Sequence, residues 1–371
     1  MYKIDYSVES YLASVYSRSN SDECKRGYQV GLRKFEEFLK TKNISSPVDF
    51  ITQIKKDNTD VLLVLRDFVN YLNIKDYKPR SISAYMSSTK RYIRFCGVRI
   101  YNEDFKQMVT LPRKMKTQET PLTKELILQL LRNSSPKLQA SVLFAISTGM
   151  RVSEIAQITP EDIDFTQIPV LIRIRAETTK TKEERETFLT TEATKTLKDY
   201  LKRSHGWIEG EKNEHLVGIS IFGKAMKNSK YPKLKPTTKI LSKKSNLQSI
   251  LRNAIKKVPE LYIKNKNGIN TIHFHAFRKY FRTAVGNVCG RDYAETLMGH
   301  NFYMDTYYRL SPEQKKELFL KAEPFLTISD YVSVEKELKS LSTKCNTLED
   351  KMAGMMDYFR VNSIPVPEVL K

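Results

Sequence analysis

Apolar residues in the first hundred positions recur with a helical period. Tyr28, Val30, Leu32, Phe35, Phe38 and Leu39 fall near one helix face, and residues 61–65 lead into Phe68, Val69 and Leu72 in the same way. Lys78-Pro79-Arg80-Ser81 puts a proline in a first helical turn, followed by Ile82, Tyr85, Met86, Tyr92, Ile93 and Phe95. An all-helical segment is therefore expected over residues 1–105. The pattern lapses over residues 106–121, where Lys106, Arg113, Lys114 and Lys116 stand with Pro112 and Pro121 and few apolar anchors, as in a linker. Pro121-Leu122-Thr123-Lys124-Glu125 then opens a helix with Thr123 as N-cap.

From 122 to 329 the periods are mixed. Residues 141–146 form an apolar helix stopped at Gly149, residues 170–175 alternate like a strand, and residues 185–190 look like its return partner. Asp292-Tyr293-Ala294-Glu295 reads as a capping box, and Gly299 as the end of that short helix. Ser311-Pro312 starts an amphipathic helix expected to end before Pro324. In residues 330–361, Val334, Leu338, Leu341, Cys345, Leu348, Met352, Met355 and Phe359 alternate in steps of 4 and 3, a heptad seam. It fits a helix packed on its own domain or one paired with another copy. The predicted fold is a helical N-terminal domain, then a mixed α+β domain, mainly helical with a small antiparallel sheet. A helical, coiled-coil-like tail follows.

Charge sharpens this division. The 371 residues carry a net charge of +21, distributed as +9 over residues 1–116, +13 over 117–329 and −1 over 330–371. A polyanion, most commonly nucleic acid, suits both basic segments. A lysine-rich bias of the whole proteome would explain part of the excess but not a tail spared from it. Arg80, Lys90, Arg91 and Arg94 sit among the aromatics of one helix, as a solvated face or a DNA contact. Between Gly223 and Asn246 lie eight lysines and no acid, a solvated loop whose charge favours DNA without reading its sequence. Cys24, Cys96, Cys289 and Cys345 are scattered, which argues against a disulfide framework or a zinc site and for a reducing compartment. With no leader pattern and no apolar run of spanning length, a soluble cytoplasmic protein without membrane contact is expected.

The chemistry lies in an ordered set of motifs. Arg151 stands in Ser147-Thr148-Gly149-Met150-Arg151-Val152-Ser153-Glu154, and Lys180 in a Thr-Lys-Thr-Lys segment. His275-Ala276-Phe277-Arg278 follows, then Leu297-Met298-Gly299-His300 and the pair Tyr307-Tyr308. Two arginines, two histidines, a lysine and a late tyrosine are what metal-free cutting of a DNA phosphodiester requires. The cations hold the charge of the phosphorane and the phenol is the nucleophile. A guanidinium stays charged and can fork onto two phosphate oxygens. Glu154, three residues beyond Arg151, is placed to orient it. Helical geometry puts His275, Arg278 and Arg282 within about 60° of one another, opposite Phe277, Tyr280, Phe281 and Ala284. The aromatics are expected in the core, with the basic face turned outward. A satisfied structural histidine remains an alternative for His300, and Trp207 has no visible role.

As a set, in this order and spacing, the motifs resemble the tyrosine recombinases of the phage-integrase and Xer family over most of residues 121–329. Pro79-Arg80-Ser81 and its helix are more loosely similar to the family's N-terminal core-binding domain. The resemblance implies a SAM-like, helical DNA-binding domain at 1–105, a linker at 106–121, a catalytic domain at 122–329 and the tail at 330–361. It implies that Arg151, Arg278, His275 and His300 surround the scissile phosphate and that Lys180, on a β-hairpin loop, protonates the leaving 5′-oxygen. Arg80, Lys90, Arg91, Arg94, Lys182 and Arg282 would contact DNA. The tyrosine would form a 3′-phosphotyrosyl bond without metal, ATP or other cofactor, and a homotetramer on two duplexes would pass through a Holliday junction. Family members usually place the tyrosine nine residues after the motif histidine; here Tyr307 is seven away and Tyr308 eight. Tyr308-Arg309 is similar to the Tyr-Arg ending of related integrases, which favours Tyr308. Lys180 aligns with the family's Gly-Lys-Gly position, ahead of Lys182. The helix after the tyrosine would dock on the next protomer, and the heptads would reinforce the assembly or engage an accessory protein. The implied function is integration or excision of a mobile element. The alternatives are a chromosome-dimer resolvase, a monomeric type IB topoisomerase and a non-catalytic architectural DNA-binding protein.

Overall fold

The computed structural model describes residues 5–57, 60–113, 120–223, 242–265, 268, 270–299, 310–329, 347–348 and 350–356. The chain divides between Thr117 and Gln118 into two units, each with its own core.

Short polar side chains start most helices of the first unit by accepting the amides that a helix leaves unpaired. Ser7 accepts from Ser10 ahead of α1 (Val8–Ser19), and Ser21 from Cys24 ahead of α2 (Asp22–Lys40). α3 (Pro47–Asp57) opens on a proline, and Asp60 caps α4 (Val61–Ile74) at Leu62 and Leu63. α5 (Pro79–Phe95) has proline in its first turn, as its sequence predicts. Phe35 of α2 lies 5.3 Å from Phe50 of α3 and 5.2 Å from Phe68 of α4, ring centroid to centroid, so one aromatic joins three helices. α6 (Asn102–Met108) takes in the start of the expected linker, because Phe105, Val109 and Leu111 pack on this core.

In the second unit Thr123 caps α7 (Lys124–Arg132) at the Leu126 amide. Ser135 caps α8 (Pro136–Thr148), which is buried on nearly every side, including Leu138 and all of residues 140–148. A helix that is apolar all round has to be central. α9 (Val152–Ile155) is a single turn beyond it. The sheet is antiparallel with order β1-β2-β3: β1 (Ile163–Asp164), β2 (Val170–Ile174) and β3 (Arg185–Leu189). Val170 pairs with Leu189 and Ile174 with Arg185, so the expected hairpin forms; β1 had no clear sequence signal. β2 does not alternate as expected: Val170, Leu171, Ile172 and Ile174 are all buried and only Arg173 is exposed, because both faces of this strand are covered.

Packing around α8 come α10 (Thr191–His205), α11 (Lys244–Lys256) and α12 (Phe274–Cys289). Trp207 joins this core 5.1 Å from Phe165. α13 (Arg291–Met298) starts at Gly290 with no side-chain cap, so the capping box expected at Asp292 does not form. Glu295 pairs instead with Arg282 across the α12–α13 corner. α14 (Pro312–Leu326) carries its own box from Ser311 and Gln314, and it runs through Pro324 rather than ending before it. Burial of Phe319, Ala322 and Leu326 on one face outweighs the amide that the proline lacks. The apolar face of this helix covers α12 and α8 of its own unit.

The lysine run at 224–241 and Val334, Leu338, Leu341, Cys345 and Phe359 of the heptads lie outside the described residues. Leu348, Met352 and Met355 are exposed on helical residues. No described helix is long and apolar enough to cross a membrane.

Candidate active site

The end of α8 fixes the first arginine. Gly149 closes that helix at φ +62, and its amide returns to Ala145. A side chain here would be strained by that angle, and its Cβ would overlap the Phe281 ring of α12. Phe281 is thus packed on the backbone that leads to Arg151. Arg151 becomes the N-cap residue of α9, its amide donating to Glu154 Oε2 at 2.9 Å and its Nη1 to Glu154 Oε1 at 3.0 Å. Glu154 therefore orients both the backbone and the guanidinium of Arg151.

β3 is stitched to the same place. Thr187 Oγ1 donates to the Thr148 carbonyl at 3.1 Å, and the Thr190 amide donates to Ser147 Oγ at 2.6 Å. Arg185, the first residue of β3, reaches Glu154 with Nη2 at 2.6 Å and Nη1 at 3.4 Å, and its Nε donates to the Leu297 carbonyl at 3.1 Å. It was not among the candidates from sequence. Its signal was the period of 2 that puts it on one face with the buried Thr187 and Leu189.

Arg278 departs from the expected outward face. Only 2 % of it is exposed. Its Nη1 donates to the Gly149 carbonyl and its Nη2 to the Met298 carbonyl at 2.8 Å. A guanidinium can be buried because those carbonyls satisfy it in place of water. His275 is exposed in the first turn of α12, its ring 6.3 Å from that of His273. Arg282 is partly exposed and tied to Glu295. One helix face thus meets three environments, since the 149–151 and 297–298 segments cover only its middle. Phe277 and Phe281 do enter the core, whereas Tyr280 is only partly buried and donates to the Phe325 carbonyl.

Positive charge exceeds negative around Glu154. Burial, followed by the neighbouring Arg151, brings Arg278 down to about 9, with Glu154 and Glu295 opposing. For Glu154, burial by itself would raise the carboxyl, but Arg185 and then Arg151 outweigh it and hold the group below its ordinary 4.5. The folded state therefore binds this proton less readily than the unfolded chain. The stability Glu154 contributes is complete above pH 4.5 and disappears as pH falls through the lower folded value. Glu154→Gln is expected to cost about 3 kcal/mol at pH 7, as for a broken buried ion pair, and to flatten the acid limb of the melting temperature. Melts of both proteins from pH 3 to 7 check this; parallel acid limbs would contradict it.

Lys180 and Lys182 are both exposed on the β2–β3 loop. The buried Thr179 staples this loop, donating to the Ala176 carbonyl at 3.0 Å and accepting from the Glu183 amide at 3.2 Å. Lys182 stands at φ +61. His300, Tyr307 and Tyr308 lie outside the described residues. In the first unit, 100° per residue puts Arg80, Lys90, Arg91 and Arg94 on an arc of about 100° of α5. Lys90 and Arg94 both bind the Asn102 side chain, and Arg91 donates to Tyr28. Arg80 is exposed.

The sequence profile of the phage integrase family matches residues 120–306. Over 328 residues the chain is 26% identical to tyrosine recombinase XerC of Treponema denticola, covering 85% of this chain and 98% of that one. It is 29% identical over 242 residues to XerC of Chlamydia caviae, covering 60% and 73%. A dimer of lambda integrase residues 75–356 bound to a COC′ core site has the same fold at a TM-score of 0.55 and 15% identity, covering 82% of this chain and 97% of that one. The matched segment carries both α8 and α12, on which the arginine cluster is built, and it spans half of the sequence. The chain belongs to the phage integrase family.

Proposed function

We propose that this chain is a site-specific DNA recombinase that cuts and rejoins strands through a 3′-phosphotyrosyl intermediate, in the integration or excision of a mobile element. The observation that carries this is the cluster at Glu154. Arg151 and the buried Arg278 are held on one frame with more positive than negative charge, an arrangement suited to a phosphodiester anion. Arg151, Arg278, His275 and His300 hold the phosphorane. The Tyr308 oxygen bonds to phosphorus as the bond to the 5′-oxygen breaks. Lys180 gives its proton to that oxygen, and the phenolic proton passes to an imidazole of the site. The tyrosyl ester keeps the energy of the cut bond, so a second 5′-hydroxyl reverses the step on the partner duplex, and neither metal nor ATP is required.

The first unit is the core-binding domain, with Arg80, Lys90, Arg91 and Arg94 toward the DNA backbone; Lys182 and Arg282 add contacts from the second. The working form is a homotetramer on two sites, acting in the cytoplasm. The exposed Leu348, Met352 and Met355 favour a tail that pairs with another copy or an accessory protein. A chromosome-dimer resolvase is the second reading, favoured by relatives that carry the name XerC.

The test is covalent trapping. The protein is incubated in EDTA with a nicked suicide duplex from DNA flanking its gene, then denatured, and the adduct is mapped by mass spectrometry. A 3′-phosphotyrosine at Tyr308 is expected. Tight binding without an adduct on any flanking duplex would instead make it an architectural DNA-binding protein. Binding should also weaken by about 10³-fold or more between 50 and 200 mM salt, if six or more phosphates are neutralised. A flat salt titration would remove the basic clamp from the proposal.

A further inference from the structure

Two guanidiniums each tie the segment after α8 to the end of α13. Arg278 joins the Gly149 carbonyl to the Met298 carbonyl. Arg185 joins Glu154, and through it Arg151, to the Leu297 carbonyl. The Leu297–Gly299 turn is the one from which the chain runs on toward the tyrosines. It ends in the left-handed region, Gly299 having φ +65. A Cβ on Gly299 would stand 2.7 Å from Arg185 Cδ and 3.0 Å from its Nε, so the arginine stem fills the space that the missing side chain leaves. Among the described residues no ladder of backbone bonds joins these segments, and the two arginines bridge them with side chains of fixed fork geometry. Only 9% of the Arg185 side chain is exposed, so its charge is spent on these partners and not on solvent.

We propose that Arg185 is a positioning residue for the reaction: it fixes the Leu297–Gly299 turn against Glu154 and, through Glu154, aims the Arg151 guanidinium. The inference rests on the recombinase reading above. Misplacing a charge-stabilising group by about 1 Å costs on the order of 10² in rate, so Arg185→Met should lower single-turnover cleavage by that amount. The affinity for the suicide duplex should stay within about 3-fold, because Arg185 adds little to the exposed charge that binding draws on. Arg185→Lys keeps one ion pair but cannot span Glu154 and the Leu297 carbonyl together, and it should lose nearly as much.

The discriminating substrate is the same duplex with a neutral methylphosphonate at the cleaved position. With one charged oxygen removed, the aim of Arg151 matters less, and the ratio of wild-type to Arg185→Met rates should shrink to less than about 10. An unchanged rate in Arg185→Met, or full recovery in Arg185→Lys, overturns the proposal. So does an equal loss on both substrates accompanied by a lower melting temperature and weaker binding, which would make the arginine a fold element alone. Should Arg185→Met not fold, the same comparisons are made with Arg185→Lys, which retains the charge at Glu154. Wild-type protein is the control: no adduct from it on any duplex overturns the recombinase reading itself, and an adduct from wild type that Arg185→Met equals overturns only this inference.

Discussion

Tyr308→Phe is expected to abolish covalent attachment and strand cutting while leaving DNA affinity within about 3-fold. The change removes one oxygen and keeps the ring, so contacts with the DNA backbone, which dominate affinity, are retained. Without the phenol no group in the proposed site can form the ester, and loss of a nucleophile costs on the order of 10⁴ or more in rate. Gel shift and suicide-duplex cleavage on the same preparations separate the two quantities. If Tyr308→Phe still forms an adduct and Tyr307→Phe does not, the nucleophile is Tyr307 and the loop is one residue shorter than assigned. Cutting by the Tyr307→Phe/Tyr308→Phe double variant would sink the phosphotyrosine mechanism.

Arg278→Ala is expected to lose both activity and stability. Removing a preorganised charge from a forming oxyanion costs about 10²–10³ in rate. The variant also leaves the Gly149 and Met298 carbonyls without their buried donor. Breaking such a buried charged contact costs about 3–5 kcal/mol, which thermal melts would register. Arg278→Lys separates the two effects: it restores charge, but a single ammonium cannot satisfy two carbonyls as a planar fork does. It should recover part of the stability and little of the cutting. Cleavage by Arg278→Lys near the wild-type rate would mean that the fork geometry is irrelevant to the chemistry.

Sequence pattern predicted the structure where one local rule decided the outcome. Thr123 caps α7, Gly149 and Gly299 end their helices in the left-handed region, and the β2–β3 hairpin forms where the pattern put it. It failed where distant segments compete for a residue. Asp292 to Glu295 has the spacing of a capping box, yet Glu295 goes to Arg282 on another helix. Arg278 has the helical phase of an outward residue, yet backbone from two other segments covers it. Arg185 sits in an ordinary hairpin strand, and its role exists only because Glu154 and Leu297 converge on it. Arg151 and Arg278, which meet at the Glu154 cluster, were legible because each occurs in a compact motif. Glu154 was legible for the same reason, but Arg185 was not, since its Leu297 partner is 112 residues away.

The anchoring of the residues after α14 has a mechanical side. Glu192, in the first turn of α10, accepts the amides of Ile328 at 2.8 Å and Ser329 at 3.0 Å. α10 follows β3 with only Thr190 between them, and β3 begins at Arg185. These bonds therefore tether residues 328–329 to a helix that continues, with no loop between, the strand whose first residue is Arg185.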